Sequence, residues 1–230
     1  MKKLILLAAL LLSACETEKK QEIIEPLPPV KSIEIELGVD DYNSLKYLMD
    51  HISIINMYGV KITYYVSGYN DKIKDDLLYL QSMGHEIANH TRWHYYAPSR
   101  VKNHGVESYV NDVLRYNRQM IDDGIEINKF AYPFGAGTPE LDAELIKHFD
   151  HVRYTTKDYS VVGGGDFPKA INIDGYNLDI DKMREAIELA DSKGENVYFL
   201  FHAITESYGD GFYITPTELV QILEVISEYN

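Results

Sequence analysis

Residues 60–94 read VKITYYVSGYNDKIKDDLLYLQSMGHEIANHTRWH, and this stretch decides the fold class. Val60 to Val66 is β-branched and aromatic, the composition of a strand, and Ser67-Gly68 closes it. Asp71 to Met83 carries apolar residues at helical spacing and stops at Gly84. His85 to Ala88 is a second short strand running into Asn89-His90. Two strands joined through a helix are parallel neighbours in one sheet.

The alternation continues on both sides. Upstream, Ser32 to Val39 alternates as a half-buried strand does, and Asn43 to Met57 is helical. Downstream, helices are expected at Val106 to Asp123, Pro139 to Phe149, Asp179 to Lys193 and Thr217 to Glu228. Strands are expected at Lys129 to Tyr132, His151 to Thr155, Ala170 to Ile173 and Asn196 to Phe201. Such alternation means a parallel sheet, either doubly wound or closed as a barrel, and periodicity does not choose between them. Gly163-Gly164-Gly165 is followed by neither a Lys-Ser/Thr pair nor a helix, so it reads as a flexible turn and not a phosphate loop.

The chain has 230 residues, 45% hydrophobic and 25% charged, the balance of a globular protein. Its net charge of -14 repels phosphate backbones and excludes nucleic acid as a partner. One cysteine, Cys15, excludes a disulfide framework. Met1-Lys2-Lys3 is basic, Leu4 to Leu12 is an apolar run too short for a bilayer span, and Leu12-Ser13-Ala14-Cys15 follows. That tetrapeptide resembles the bacterial lipobox. Residues 1–14 are therefore expected to be a lipoprotein signal peptide, and residues 15–29 a lipidated Cys15 with a charged, proline-rich tether. Residues 30–230 are expected to form one domain, exported and anchored to a membrane through Cys15.

In parallel α/β folds, chemistry gathers where strands end. Asp40-Asp41, His90 with His94, and His202 all fall at such ends. An aspartate pair there either caps the next helix or serves chemistry. A His-x-x-x-His pair alone is either structural or metal-binding. Together, two imidazoles and a carboxylate make an open three-ligand set that suits zinc. Of the nineteen tyrosines, Tyr64, Tyr65 and Tyr198 fall in strand patterns and are expected to be half-buried. Trp93, between the two histidines, is expected either to line the cleft and contact substrate or to pack.

Gly38-Val39-Asp40-Asp41-Tyr42, His90-Thr91-Arg92-Trp93-His94, Ala131-Tyr132-Pro133-Phe134-Gly135 and Leu200-Phe201-His202 occur in that order. The set resembles the motifs of the polysaccharide deacetylase family (carbohydrate esterase family four) over about Ile33 to Glu228. The resemblance implies a distorted (β/α) barrel of about seven strands. It also implies hydrolysis of N- or O-acetyl groups on a glycan with the help of a divalent metal, most often zinc. Asp41, His90 and His94 would bind the metal, Asp40 would be the general base and His202 the general acid. The backbone N–H of Phe134 would stabilise the oxyanion, and Trp93 and Tyr132 would meet substrate. Three departures stand out. Tyr42 replaces a glycine. Ala131 replaces an arginine that orients the base, leaving Arg92 or Arg153 to do so. The carboxylate behind His202 could be Asp158, Asp166 or Asp174. Tyr42 and Ala131 also support a rival reading, a catalytically weak carbohydrate-binding lipoprotein on the same fold.

Overall fold

Seven parallel strands close on themselves, which settles what periodicity left open. The computed structural model describes residues 33–41, 43–206 and 211–229. The expected signal peptide, Cys15, the tether and Tyr42 lie outside the described residues. The strands are β1 (Ile35–Asp40), β2 (Ile62–Val66), β3 (Glu86–Asn89), β4 (Ile127–Ala131), β5 (His151–Thr156), β6 (Lys169–Asn172) and β7 (Val197–Phe201). Each pairs with the next, and β1 also pairs with β7 through Ile35↔Val197 to Val39↔Phe201. That long-range pairing turns the sheet into a barrel.

Helices α1 (Ser44–Met57), α2 (Lys74–Ser82), α3 (Ala97–His104), α4 (Val106–Asp122), α5 (Pro139–Leu145), α6 (Ile180–Lys193) and α7 (Pro216–Ser227) complete the fold. Helix α3 was not anticipated: only Ala97 of its residues is buried, so it carries no apolar period. Two-residue strands β8 (Ala203–Ile204) and β9 (Tyr213–Ile214) pair beyond the barrel mouth. No helix among the described residues is long and apolar enough to cross a membrane.

Alternation divides each strand between two environments. Leu37, Val39, Tyr64, Val66, Phe130, Val152, Ile171 and Phe199 join the core shared with the helices. The alternate positions fill the barrel, and many of these are polar. Lys129 Nζ lies 2.8 Å from Glu36, 2.6 Å from Glu86 and 3.3 Å from Glu34. The ammonium is thus the cation of this carboxylate cluster, and its own pKa is pushed up: burial opposes the charge, but Glu36 and Glu86 outweigh it. Above it, Tyr65, Ala88 and Ala131 pack as a separate small cluster, as do Ala170, Tyr198 and Leu200.

The triple glycine is a turn, held at its first two positions and open at the exposed Gly165. Gly163 N–H donates to Asn196 O at 2.7 Å, and a Cβ on Gly164 would lie 2.7 Å from Pro168 Cα.

His85 lies under the barrel wall, 3% exposed. Its Nδ1 accepts from Ile62 N at 3.2 Å, and its Nε2 has no partner. Burial, with Lys61 nearby, pushes the imidazole down to about 4 from 6.5. The folded state therefore resists a proton that the unfolded chain accepts, and this contribution to stability is lost as pH falls from 6.5 toward 4. The loss should amount to roughly 1–3 kcal/mol. Urea midpoints measured between pH 7.5 and 4.5 should fall less in His85→Gln than in the parent. Parallel pH profiles would show that His85 does not carry this dependence.

Candidate active site

The C-terminal ends of the strands open into a cavity of about 590 Å³, within the range of small-molecule sites. Asp40, Asp41, His90, His94, His202 and Phe134 all line it. The residues singled out at separate strand ends thus converge on one mouth.

Asp40 is the last residue of β1, and alternation turns its side chain into the barrel. Arg153 of β5 meets both carboxylate oxygens through one nitrogen, at 2.6 and 2.7 Å. Burial opposes the charge on Asp40, but Arg153, His90 and His202 outweigh it and hold its carboxyl below the usual range. Arg153 is 1% exposed, and its guanidinium lies 4.1 Å over the Tyr65 ring. Arg153 and Ala131 are register partners across β4 and β5. The cation has moved one strand over from the position where the resemblance expects it. Arg92 is not involved.

Asp41 adopts φ 78°, a conformation unusual for a non-glycine residue. Its N–H donates to Tyr65 O at 3.2 Å, and Tyr64 Oη donates to Asp41 O at 2.6 Å. The Ser44 hydroxyl rests against the carbonyls of Asp40 and Asp41. Helix α1 begins after Asn43 with no side-chain cap, so the aspartate pair does not serve as one.

His90 follows β3 and donates from Nδ1 to Ala131 O at 2.9 Å, which leaves Nε2 directed at the cavity. Thr91 at φ 61° and His94 at φ 51° fold the loop back, and Thr91 N–H donates to Asn89 Oδ1 at 2.8 Å. Asp41 Oδ1 then lies 3.1 Å from His94 Nε2 and 3.5 Å from His90 Nε2. Three ligands of a tetrahedral site, each about 2.0–2.1 Å from zinc, stand roughly 3.4 Å apart. Asp41 Oδ1 is buried and accepts no hydrogen bond, as an atom reserved for a cation would be. Burial disfavours the Asp41 charge, yet His94, His90 and His202 hold its carboxyl far below the usual range. Burial also pushes His90 down, toward the neutral form that a metal needs. The three residues fit a divalent metal, and their ligand atoms all lie within 4.8 Å of one another.

His202 faces the set from β7, with Nε2 4.0 Å from Asp41 Oδ2. Its partner is Asp174: Nδ1 lies 2.6 Å from Asp174 Oδ2, and the His202 N–H donates to Oδ1 at 2.9 Å. Burial works against the imidazolium, but Asp174, with Asp40 and Asp41, pushes its pKa up to about 9. Asp158 and Asp166 are not its partners. Asp174 stands just past β6, so the strand-end rule that found Asp40-Asp41 would have found it too.

Phe134 sits at φ 60° in a turn of 3₁₀ type, and its N–H has no partner among the described residues. Gly135 makes that turn possible, because a Cβ there would lie 1.9 Å from Thr155 Cγ2. The Phe134 ring packs against His94 at a tilt of 57°, with centroids 4.6 Å apart. Tyr132 touches the cavity but is 2% exposed, and its hydroxyl is committed to Asp142 Oδ1 at 2.9 Å. Tyr154 Oη donates to the same carboxylate at 2.7 Å. The pair ties the start of the Phe134 turn and strand β5 to α5, and the Tyr132 hydroxyl is not offered to a substrate. Trp93 does not line the cavity. It faces a different recess, because the left-handed turns at Thr91 and His94 point residues 92 and 93 away from the ligands.

Residues 29–151 match the family model described as polysaccharide deacetylase. No curated protein matches the chain. A polysaccharide deacetylase from Bacillus cereus shares 16% identity at a TM-score of 0.53, over 85% of this chain and 88% of that one. The catalytic domain of a peptidoglycan N-acetylglucosamine deacetylase from Eubacterium rectale shares 14% at 0.54, over 88% and 86%. A CE4-family pseudoenzyme from Bacillus anthracis shares 15% at 0.54, over 87% of this chain and 61% of that one. At such identities the likeness is one of fold.

The Arg153–Asp40 contact yields a direct test. Arg153→Ala strands a buried carboxylate and should cost about 3–5 kcal/mol of stability. Adding Ala131→Arg returns a guanidinium to the register position beside it, and at least half of the loss should be recovered in urea denaturation. A double variant no more stable than Arg153→Ala would show that position 131 cannot reach Asp40.

Proposed function

The chain belongs to the polysaccharide deacetylase family, and on that premise we propose that it is a metal-dependent hydrolase removing N- or O-linked acetyl groups from a carbohydrate polymer or oligosaccharide. What carries the reading is the meeting, at one mouth, of an open three-ligand set with two separately supported acid–base groups. Asp40 is held by Arg153, and His202 is held by Asp174. The rival reading as a binding protein draws on Tyr42 and Ala131; Arg153 offers Asp40 a cation from the neighbouring strand, whereas Tyr42 lies outside the described residues.

Asp41, His90 and His94 would hold the metal, for which zinc suits two imidazoles and a carboxylate. When bound, it supplies Lewis acidity at the acetyl carbonyl and brings the pKa of water toward ~7. Asp40, kept anionic, takes the proton of the attacking water as its oxygen bonds to the carbonyl carbon. The unpartnered N–H of Phe134 donates to the oxygen that gains charge, a contribution of the order of 3 kcal/mol. His202, kept protonated by Asp174, gives its Nε2 proton to the departing nitrogen or oxygen as the C–N or C–O bond breaks. The products are acetate and a free amine or hydroxyl.

Acetate release from a panel of acetylated glycans, with and without chelator, tests the activity. Asp40→Asn should retain metal while turnover falls ~10²–10⁴-fold. Asp41→Asn should instead weaken metal binding, with activity partly restored by added metal. No acetate from any glycan by metal-loaded protein would favour the binding reading. Equal loss of metal in both variants would end the division of roles.

We further propose that residues 1–14 are removed and that Cys15 is lipidated and anchors the chain through the 15–29 tether. Cys15→Ser should then move the protein out of the membrane fraction. Co-sedimentation of that variant after a high-salt wash would overturn the anchor.

A further inference from the structure

Asn172 ends β6 and lines the cavity, two residues before Asp174. Both side chains are buried, and along an extended backbone residues two apart share a face. The Asn172 amide works at both ends. Its Oδ1 accepts the Asp174 N–H at 3.1 Å and the Asn177 Nδ2 at 3.1 Å, while its own Nδ2 donates to Asp174 Oδ2 at 3.1 Å. The two donors on Oδ1 decide which way the amide points, because the reversed amide would set N–H against N–H.

Two donors to the Asp174 carboxylate come from His202 itself: its N–H on Oδ1 and its Nδ1 on Oδ2. A carboxylate gripped only by the group it must aim would turn with that group. The Asn172 donor comes from another strand and meets the same oxygen as His202 Nδ1. Its own place is fixed by backbone. Ile173 N–H donates to Leu200 O at 2.9 Å, which holds the end of β6 against β7, and Asn177 N–H donates to Asp174 O at 2.9 Å. Residues 172–177 thus close as a turn around the carboxylate.

We propose that Asn172 is a positioning residue: its amide fixes the Asp174 carboxylate and, through it, the line along which His202 presents Nε2 to the cavity. A histidine held at Nδ1 keeps one orientation of its ring, and giving a proton to a departing atom depends on that orientation. The inference rests on the deacetylase reading for the step it serves. It adds to that reading a third residue behind the acid, one that holds the orienting carboxylate from outside the pair.

The test uses the full, zinc-loaded protein. Proton NMR follows the His202 Nδ1–H, which a hydrogen bond of 2.6 Å to a carboxylate moves downfield. In Asn172→Ala that resonance should shift or vanish, while a cooperative urea transition shows that the fold is kept. Asn172→Ser is the second variant: its hydroxyl can still close the turn on the Asp174 N–H but brings no amide to Oδ2, so it should move the resonance too. On an acetylated glycan, kcat should fall roughly 10–100-fold with little change in KM. On an activated aryl acetate, whose leaving group needs no proton, the loss should nearly disappear. In an Asp174→Ala background, Asn172→Ala should add nothing further, because the two act through one group. A shifted Nδ1–H resonance in a protein that releases no acetate would leave the hold on Asp174 standing and remove the deacetylase. Acetate release with the resonance unmoved, or with equal losses on both substrates that add to those of Asp174→Ala, would overturn the proposal and leave Asn172 as a wall of the cavity.

Discussion

A buried carboxylate cannot stand alone, and the ion pair between Arg153 and Asp40 is the contact on which the barrel interior depends. Arg153 lies over Tyr65, Tyr65 Oη donates to Glu36 at 2.8 Å, and Glu36 meets Lys129 at 2.8 Å. A polar column therefore runs from the closed end of the barrel to its mouth, where apolar branched side chains would ordinarily pack in layers. Removing Arg153 would strand Asp40, and removing Lys129 would strand Glu36, each a buried carboxylate. Gly38 belongs to the same constraint. A Cβ there would sit 3.3 Å from Phe199 O and 3.4 Å from the Tyr65 ring, so a side chain at 38 would crowd the rung between Glu36 and Asp40.

The backbone carries a second constraint. Among the described residues, the non-glycine positions with positive φ are Asp41, Thr91, His94 and Phe134. Each costs of the order of 1–3 kcal/mol, and three of the four have contacts that hold them. Tyr64 and Ser44 hold Asp41, Asn89 holds Thr91, and the Tyr132–Asp142–Tyr154 clamp with Gly135 holds Phe134. Strain confined to the mouth, with rigid strands below, lets ligands and donors stand in place before a substrate arrives.

How much of this a sequence can carry follows from the range of each interaction. Elements with a strong apolar period, such as β2, α4 and β7, are legible because burial is written into their own residues. Closure is not, because it depends on β1 meeting β7 across the whole chain. Helix α3 escapes for a different reason: it lies on the surface with almost nothing to bury. At the site, strand ends located Asp40, Asp41, His90 and His202 and could have located Asp174. Choosing Arg153 over Arg92 needed the β4–β5 register. Trp93 shows the opposite limit. Adjacency to His94 said it was near the ligands, but only the left-handed turns say which way it faces.

Asp40 and Asp41 show how two identical neighbours acquire different chemistry. Strand alternation sends Asp40 inward, where Arg153 occupies both its oxygens. The positive φ at Asp41 breaks the alternation and swings the second carboxylate toward His90 and His94. Asp40 Oδ2 still lies 3.9 Å from His90 Nε2, close enough to compete as a ligand if it were free. The guanidinium therefore does more than neutralise a buried charge. By holding Asp40 back from Asp41, His90 and His94, it keeps the two carboxylates apart, which the proposed division between base and metal ligand requires. What the site requires is a buried cation on the inner face of the barrel beside Asp40, and Arg153, the register partner of Ala131 on the adjacent strand, supplies it.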